Sequence, residues 1–248
     1  MTELSLPFLA AVIGTFIIAG LVKGVTGMGL PTVAMGVLGA LISPVAAAGL
    51  LLVPSAVTNL WQLFTGPDFM ALIRRLWPMM AMIVAGTVPG AFLLTAGSHL
   101  TVAALGFVLV AYALYSLFGK QPVIPSKAEK WLSPLIGLVT GVITGATGVF
   151  VIPAVPYLQA LNLGRDDLVQ ALGLSFTVST GALFAGLAWH GALDPGNLLL
   201  SSLAILPALL GMWAGQALRS RISPPAFRRG FLICLVLLGG ELALRPWF

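Results

Sequence analysis

Residues 20–31 read GLVKGVTGMGLP, and residues 137–153 read GLVTGVITGATGVFVIP. Both are runs of glycine, threonine and proline inside apolar sequence, and only the first carries a charge, Lys23. Glycine costs a helix interior roughly 0.8–1 kcal/mol relative to alanine, and proline about 3 kcal/mol. Two such runs therefore predict interruptions in helices that would otherwise continue.

The surrounding sequence predicts that those helices lie in a membrane. Of 248 residues, 59% are hydrophobic and 8% charged, against roughly 25% charged in a soluble domain. Polar connections between apolar stretches are too short to fold alone, so one transmembrane domain over residues 1–248 is expected. The opening MTELSLPF lacks a basic region and a small-residue cleavage pattern, so the first apolar segment is expected to be retained. Cys234 is the single cysteine, which excludes an internal disulfide. The net charge of +5 sits in loops between spans, where it sets orientation, and no nucleic-acid partner is expected.

Apolar runs predict segments at about 6–22, 24–42, 44–64, 76–97 and 100–118, then 132–146, 148–162, 168–189, 197–218 and 227–245. They are continuously apolar rather than alternating, so they read as helices and not as barrel strands. The connection GKQPVIPSKAEK, residues 119–130, divides the chain into repeat 1, about 6–118, and repeat 2, about 131–248. Gly20 to Val25 recurs at Gly137 to Val142, Thr26-Gly27 is matched with Thr144-Gly145, and Pro31 with Pro153. The Gly86/Gly90 pair returns as Gly211/Gly215, a spacing that suits close helix packing.

Arg74, Arg75, Lys120, Lys127, Lys130, Arg165, Arg219, Arg221, Arg228 and Arg229 all fall in loops predicted to share one side. The loops at Ser98-His99 and at residues 190–197 hold no lysine or arginine, so the basic loops are predicted cytoplasmic and both termini outside. The basic loop joins segments three and four in the first half but four and five in the second. The expected fold is therefore an all-α polytopic membrane protein of 8 to 10 segments in two inverted-topology repeats of about five each. Inverted repeats are a recurrent plan of secondary transporters.

Segments six and seven leave and regain one face within about 32 residues, or roughly 24 Å each against a ~30 Å hydrocarbon core. The first two segments of each repeat are thus expected to be short, broken or re-entrant. Non-helical backbone at membrane depth must be buried in protein or line a polar cavity, and its free N–H groups beside a half-helix suit an anion. Candidate anion-binding residues are Gly27, Gly29, Gly145 and Gly148 for close backbone approach, and Thr26, Thr144 and Thr147 as hydroxyl donors. Lys23 reads either as a site residue, since an intramembrane lysine costs roughly 2.5–3.5 kcal/mol, or as a side chain reaching back to the inner surface. Segment three of each half adds Asn59, Ser175 and Thr180 as cavity lining.

Other polar residues have ordinary explanations. His99 and His190 fall in outer loops, Asp68 and Asp194 in proline-containing turns, and Glu241 is four residues before Arg245. No cluster has metal-ligand spacing, no nucleophile has its base, and no Walker motif is present, so neither a cofactor nor an enzyme activity is expected.

The duplicated glycine-proline segments, with the two later glycine pairs and the chain length, resemble the sulfite exporter TauE/SafE family along essentially the whole chain. That resemblance implies transport of a small anion, such as sulfite, a sulfonate or another organosulfur compound, across the cytoplasmic membrane as export. Met28 departs from the more glycine-rich turn that would match the family better. A passive anion channel and a non-transporting membrane partner remain alternatives, and a coupling proton and a homodimer remain open.

Overall fold

The computed structural model describes residues 5–97, 99–119, 123–219 and 221–247; Ser98 and Lys120, used above for orientation, lie outside them. All regular elements among the described residues are helical: α1 Leu6–Thr26, α2 Leu30–Leu41, α3 Pro44–Phe64, α4 Phe69–Thr95, α5 His99–Phe118, α6 Ser126–Thr147, α7 Ala154–Ala160, α8 Arg165–Trp189, α9 Pro195–Leu203, α10 Ile205–Arg219 and α11 Pro224–Leu244, then a short 3-10 turn.

Among the described residues six stretches are long and apolar enough to cross a membrane: α1, α3, α4, α5, α8, and α9 with α10 taken together. At 1.5 Å per residue a 21-residue helix reaches about 32 Å, the thickness of the hydrocarbon core. α6, with 22 residues, and α11, with 21, have the same reach but carry charges near their ends. Large apolar side chains stand exposed all around the bundle, including Trp61, Trp77, Phe107, Trp189 and Trp213. A surface of that kind suits lipid and not water.

The expectation that the first two segments of each repeat are short, broken or re-entrant needs correction for the first of each pair. α1 and α6 are full-length, and only α2, with 12 residues, and α7, with 7, are short. The single helices expected at 24–42 and 148–162 fail because each chain break sits inside them. Gly27 and Gly29 have φ of 79° and 117°, and Gly148 has φ of 71°, a left-handed conformation open to glycine and poorly tolerated by other residues. α1 therefore stops at Thr26 and α6 at Thr147.

Five helix pairings dominate among the described residues, the four named next and α4 on α8. α1 packs on α10, α4 on α6, α3 on α8 and α5 on α11. In the first pair an added Cβ on Gly20 would stand 2.2 Å from Ala208 O, and one on Gly211 would stand 2.1 Å from Ile17 O. In the second, a Cβ on Gly141 would stand 2.4 Å from Ile83 O and one on Gly86 2.6 Å from Leu138 O. The backbones touch, which only glycine permits. In both pairs contacting residues increase together along the chain, so the helices run parallel; Leu63 meets Gly173 while Ser55 meets Thr180, so α3 and α8 run antiparallel.

Proline inside α3 shows how polar backbone is repaired at this depth. Pro54 has no N–H, which leaves Leu50 O without its helical partner, and the hydroxyl of Ser201 on α9 donates to that oxygen at 2.7 Å. Ser201 Oγ also accepts from Val53 N at 3.1 Å.

Candidate functional site

The C-terminal ends of α1, α3 and α10 meet the N-terminal part of α8 around a half-enclosed cavity of about 280 Å³. Its lining includes Lys23, Gly27, Gln62, Gln216 and Arg219. Lys23 is 3% exposed, so its ammonium turns inward instead of reaching for the surface.

The ammonium donates to Thr58 Oγ1 at 3.1 Å and to Asn59 Oδ1. Because Asn59 accepts that hydrogen bond on its oxygen, its Nδ2 is free to donate to Ser55 Oγ at 2.9 Å and to Thr180 Oγ1 at 3.3 Å. The Ser55 and Thr180 hydroxyls lie 3.1 Å apart, and Thr180 donates to Phe176 O at 2.7 Å. One chain of polar groups thus runs from α1 through α3 to α8, linking the two halves of the sequence. All its side chains are buried.

Charge along this chain is not balanced. The ion pairs among the described residues are Arg75 with Glu129 and Arg245 with Glu241, and neither touches Lys23. The ends of α1 and α3 supply helix-terminal carbonyls, which carry partial negative charge and favour a nearby cation, but no carboxylate compensates it. Arg219, in the last turn of α10, adds a second positive side chain to the same cavity.

Gln62 fastens the rim. Its Nε2 donates to Gly27 O at 3.1 Å and to Val169 O at 2.9 Å, tying the first chain break to α8. Two carbonyl acceptors fix the orientation of the amide. Gln62 belongs with Ser55, Thr58 and Asn59 to the polar set of segment three, but is not among the residues the sequence assigns to the cavity lining.

The remaining sequence candidates are dispersed. Thr26 Oγ1 donates to Val22 O at 2.8 Å and caps the end of α1. Gly29 begins α2 and packs on Val22, outside the cavity lining. Thr144 donates to Thr140 O and Thr147 to Ile143 O, both at 2.7 Å. Gly145 is not at a turn: it lies inside α6, and an added Cβ would stand 2.5 Å from Thr87 O. Its missing side chain serves packing on α4. Gly148, not Gly145, is the structural counterpart of Gly27, since each ends a helix in the left-handed conformation. Ser175 is fully buried and its hydroxyl has no partner.

A larger cavity of about 530 Å³ lies between the end of α2 and the start of α5. Its one charged lining residue, Arg245, already donates to Ala40 O at 2.6 Å and stands 3.8 Å from Glu241. The polar chemistry is concentrated at the smaller one. Among the described residues no group of histidine, cysteine, aspartate or glutamate side chains could hold a metal ion.

A helical bundle with an apolar girdle, a buried cation and a broken helix at a half-open cavity defines a polytopic membrane protein with an internal polar site. The family model for the sulfite exporter TauE/SafE matches residues 12–242, and the chain belongs to that family of membrane transporters. No curated protein and no solved structure gave a match.

Proposed function

We propose that the protein is a secondary transporter that moves a small oxyanion, sulfite or an organosulfonate, outward across the cytoplasmic membrane by alternating access of two inverted repeats. The single observation that carries the anion site is Lys23. It is a buried lysine, hydrogen-bonded to neutral partners only, on the wall of a cavity that also holds Arg219. A buried charge without a carboxylate partner costs several kcal/mol, and an entering anion offsets that cost while gaining charge-assisted hydrogen bonds. Differential affinity for the anion follows from this deficit.

Helix pairing supports the repeats. The first helix of each half packs on the fourth unit of the other, α1 on α10 and α6 on α4, while third pairs with third and fifth with fifth. A two-fold axis in the membrane plane generates that arrangement, including parallel α1–α10 and α4–α6 pairs and an antiparallel α3–α8 pair. On this reading the Lys23 cavity opens toward the basic loops, hence toward the cytoplasm, and both termini are outside. The membrane is the cytoplasmic one, where the positive-inside bias operates.

Purified protein in liposomes tests this with sulfite, a panel of sulfonates, sulfate and thiosulfate, with and without a pH gradient. Saturable flux with trans-stimulation is expected for one of these anions. Flux without trans-stimulation would replace the carrier with a channel, and absence of flux from folded protein would refute the transport reading. The gradient arm determines whether a proton accompanies the anion.

A further inference from the structure

The amide of Gln62 is bonded at one end only. Its Nε2 is held by two carbonyls, Gly27 O at 3.1 Å and Val169 O at 2.9 Å. Its Oε1 is buried and has no hydrogen-bond partner among the described residues, and the residue as a whole is 7% exposed. Turning the amide over would set its oxygen against both carbonyls, so the acceptor stays where it is. Leaving a buried acceptor unpaired is costly, and a ligand that donates to it offsets that cost.

This acceptor belongs to the wall of the Lys23 cavity. Gln62 lines it, and so do Gly27 and Val169, the two residues that hold the amide. On α3 Gln62 follows Thr58 by four residues, which places the two on one helix face a turn apart, and Thr58 Oγ1 accepts from Lys23 Nζ. An oxyanion drawn to Lys23 therefore has Gln62 as its neighbour on α3.

The rest of the wall differs in kind. Lys23 and Arg219 can only donate, and the Thr65 hydroxyl donates to Trp61 O at 3.0 Å and to Gln62 O at 3.3 Å. Val169 and Met212 are apolar, Gln216 is exposed, and no aspartate or glutamate lines the cavity. The site thus combines a cationic end, an apolar stretch and a single buried, unmet acceptor.

Resting on the anion-transporter reading, we propose that Gln62 sets substrate choice by accepting a hydrogen bond from the transported anion, whose preferred form is a short-chain organosulfonate bearing a hydroxyl group. The sulfonate oxygens accept from Lys23 and Arg219, as charge-assisted bonds. The carbon chain lies against Val169 and Met212, apolar walls with a few polar groups being the usual make-up of a small-molecule site. The hydroxyl donates to Gln62 Oε1. A site built to bond a substrate hydroxyl rejects the analogue without it, because its own buried group is then left unpaired. An ammonium in place of the hydroxyl would also donate, but it would meet two cationic side chains and no carboxylate. Fully deprotonated inorganic oxyanions bring no donor at all.

Calorimetric titration of the full-length protein in detergent tests this with three ligands of equal chain length: 2-hydroxyethanesulfonate, ethanesulfonate and 2-aminoethanesulfonate. The hydroxy compound is expected to bind with a Kd about tenfold below either of the others. In Gln62→Met the difference between the hydroxy compound and ethanesulfonate should vanish, while the ethanesulfonate Kd stays near the parental value. A merely structural role for Gln62 would weaken all three ligands together and leave their ratios intact, which would overturn the proposal. Equal affinity of the parent for the hydroxy compound and ethanesulfonate would overturn it too, and that comparison needs no variant to fold. Binding of all three alike would leave the anion site standing and remove only the hydroxyl preference, whereas no binding of any would sink both.

Discussion

The two chain breaks begin alike and end differently. At the first, α1 stops at Gly27, Gly29 starts the 12-residue α2 at once, and Lys23 lies one turn behind in a cavity with Arg219. At the second, α6 stops at Gly148, residues 149–153 run on without helix, and α7 lasts only 7 residues. Thr140 and Thr144 stand behind that break, and no cation does. The glycine interfaces flanking the breaks are nearly interchangeable, α1 on α10 and α6 on α4. Backbone packing is thus held in common by the halves, whereas a cation, Lys23, stands directly behind the first break alone.

That contrast can be broken most severely through the glycines. Gly24→Leu and Gly141→Leu each drive a side chain into facing backbone, at 2.2 Å and 2.4 Å for the Cβ alone. Both are expected to lose stability at or beyond the upper end of the roughly 1–3 kcal/mol typical of overpacking, and by similar amounts. A thermal melt in detergent measures this; a large loss for one and none for the other would contradict equivalent packing.

Chemistry should separate the halves where packing does not. Asn59→Asp places a carboxylate against Lys23, and an internal counter-ion competes with the transported one. KM for sulfite is expected to rise at least tenfold, about 1.4 kcal/mol, with stability retained or improved. Thr180→Val removes one acceptor of Asn59 Nδ2 and leaves Ser55 Oγ in place, so a two- to fivefold loss of flux is expected. Least affected should be Arg75→Ala: the Arg75–Glu129 pair is partly exposed, and such pairs contribute about 0–1 kcal/mol. Its flux should match the parent.

The sequence disclosed the helical membrane class, because 59% hydrophobic residues in nearly unbroken runs leave little else. It also disclosed the breaks, since positive-φ positions select glycine. Segment lengths were harder to read: apolar composition continues through Gly27 and Gly148, so hydropathy cannot locate a stop set by backbone conformation. Gly145 illustrates the same limit, being a packing glycine three residues from a turn glycine with the same local sequence. Lys23, Asn59 and Thr180 were each noticed separately. Their meeting depends on α1, α3 and α8 converging, which no local pattern encodes, and the roles of Gln62 and Arg219 follow only from that convergence.

The account turns on Lys23 as the anion's counter-ion. Sulfite counterflow should be compared for the parent and Lys23→Met in liposomes, each shown by melting to be folded. Replacing the ammonium by an apolar side chain of similar length removes the burial cost of the charge, so the variant should fold. A hundredfold or greater loss of saturable counterflow is expected; counterflow at the parental rate and KM would contradict the assignment.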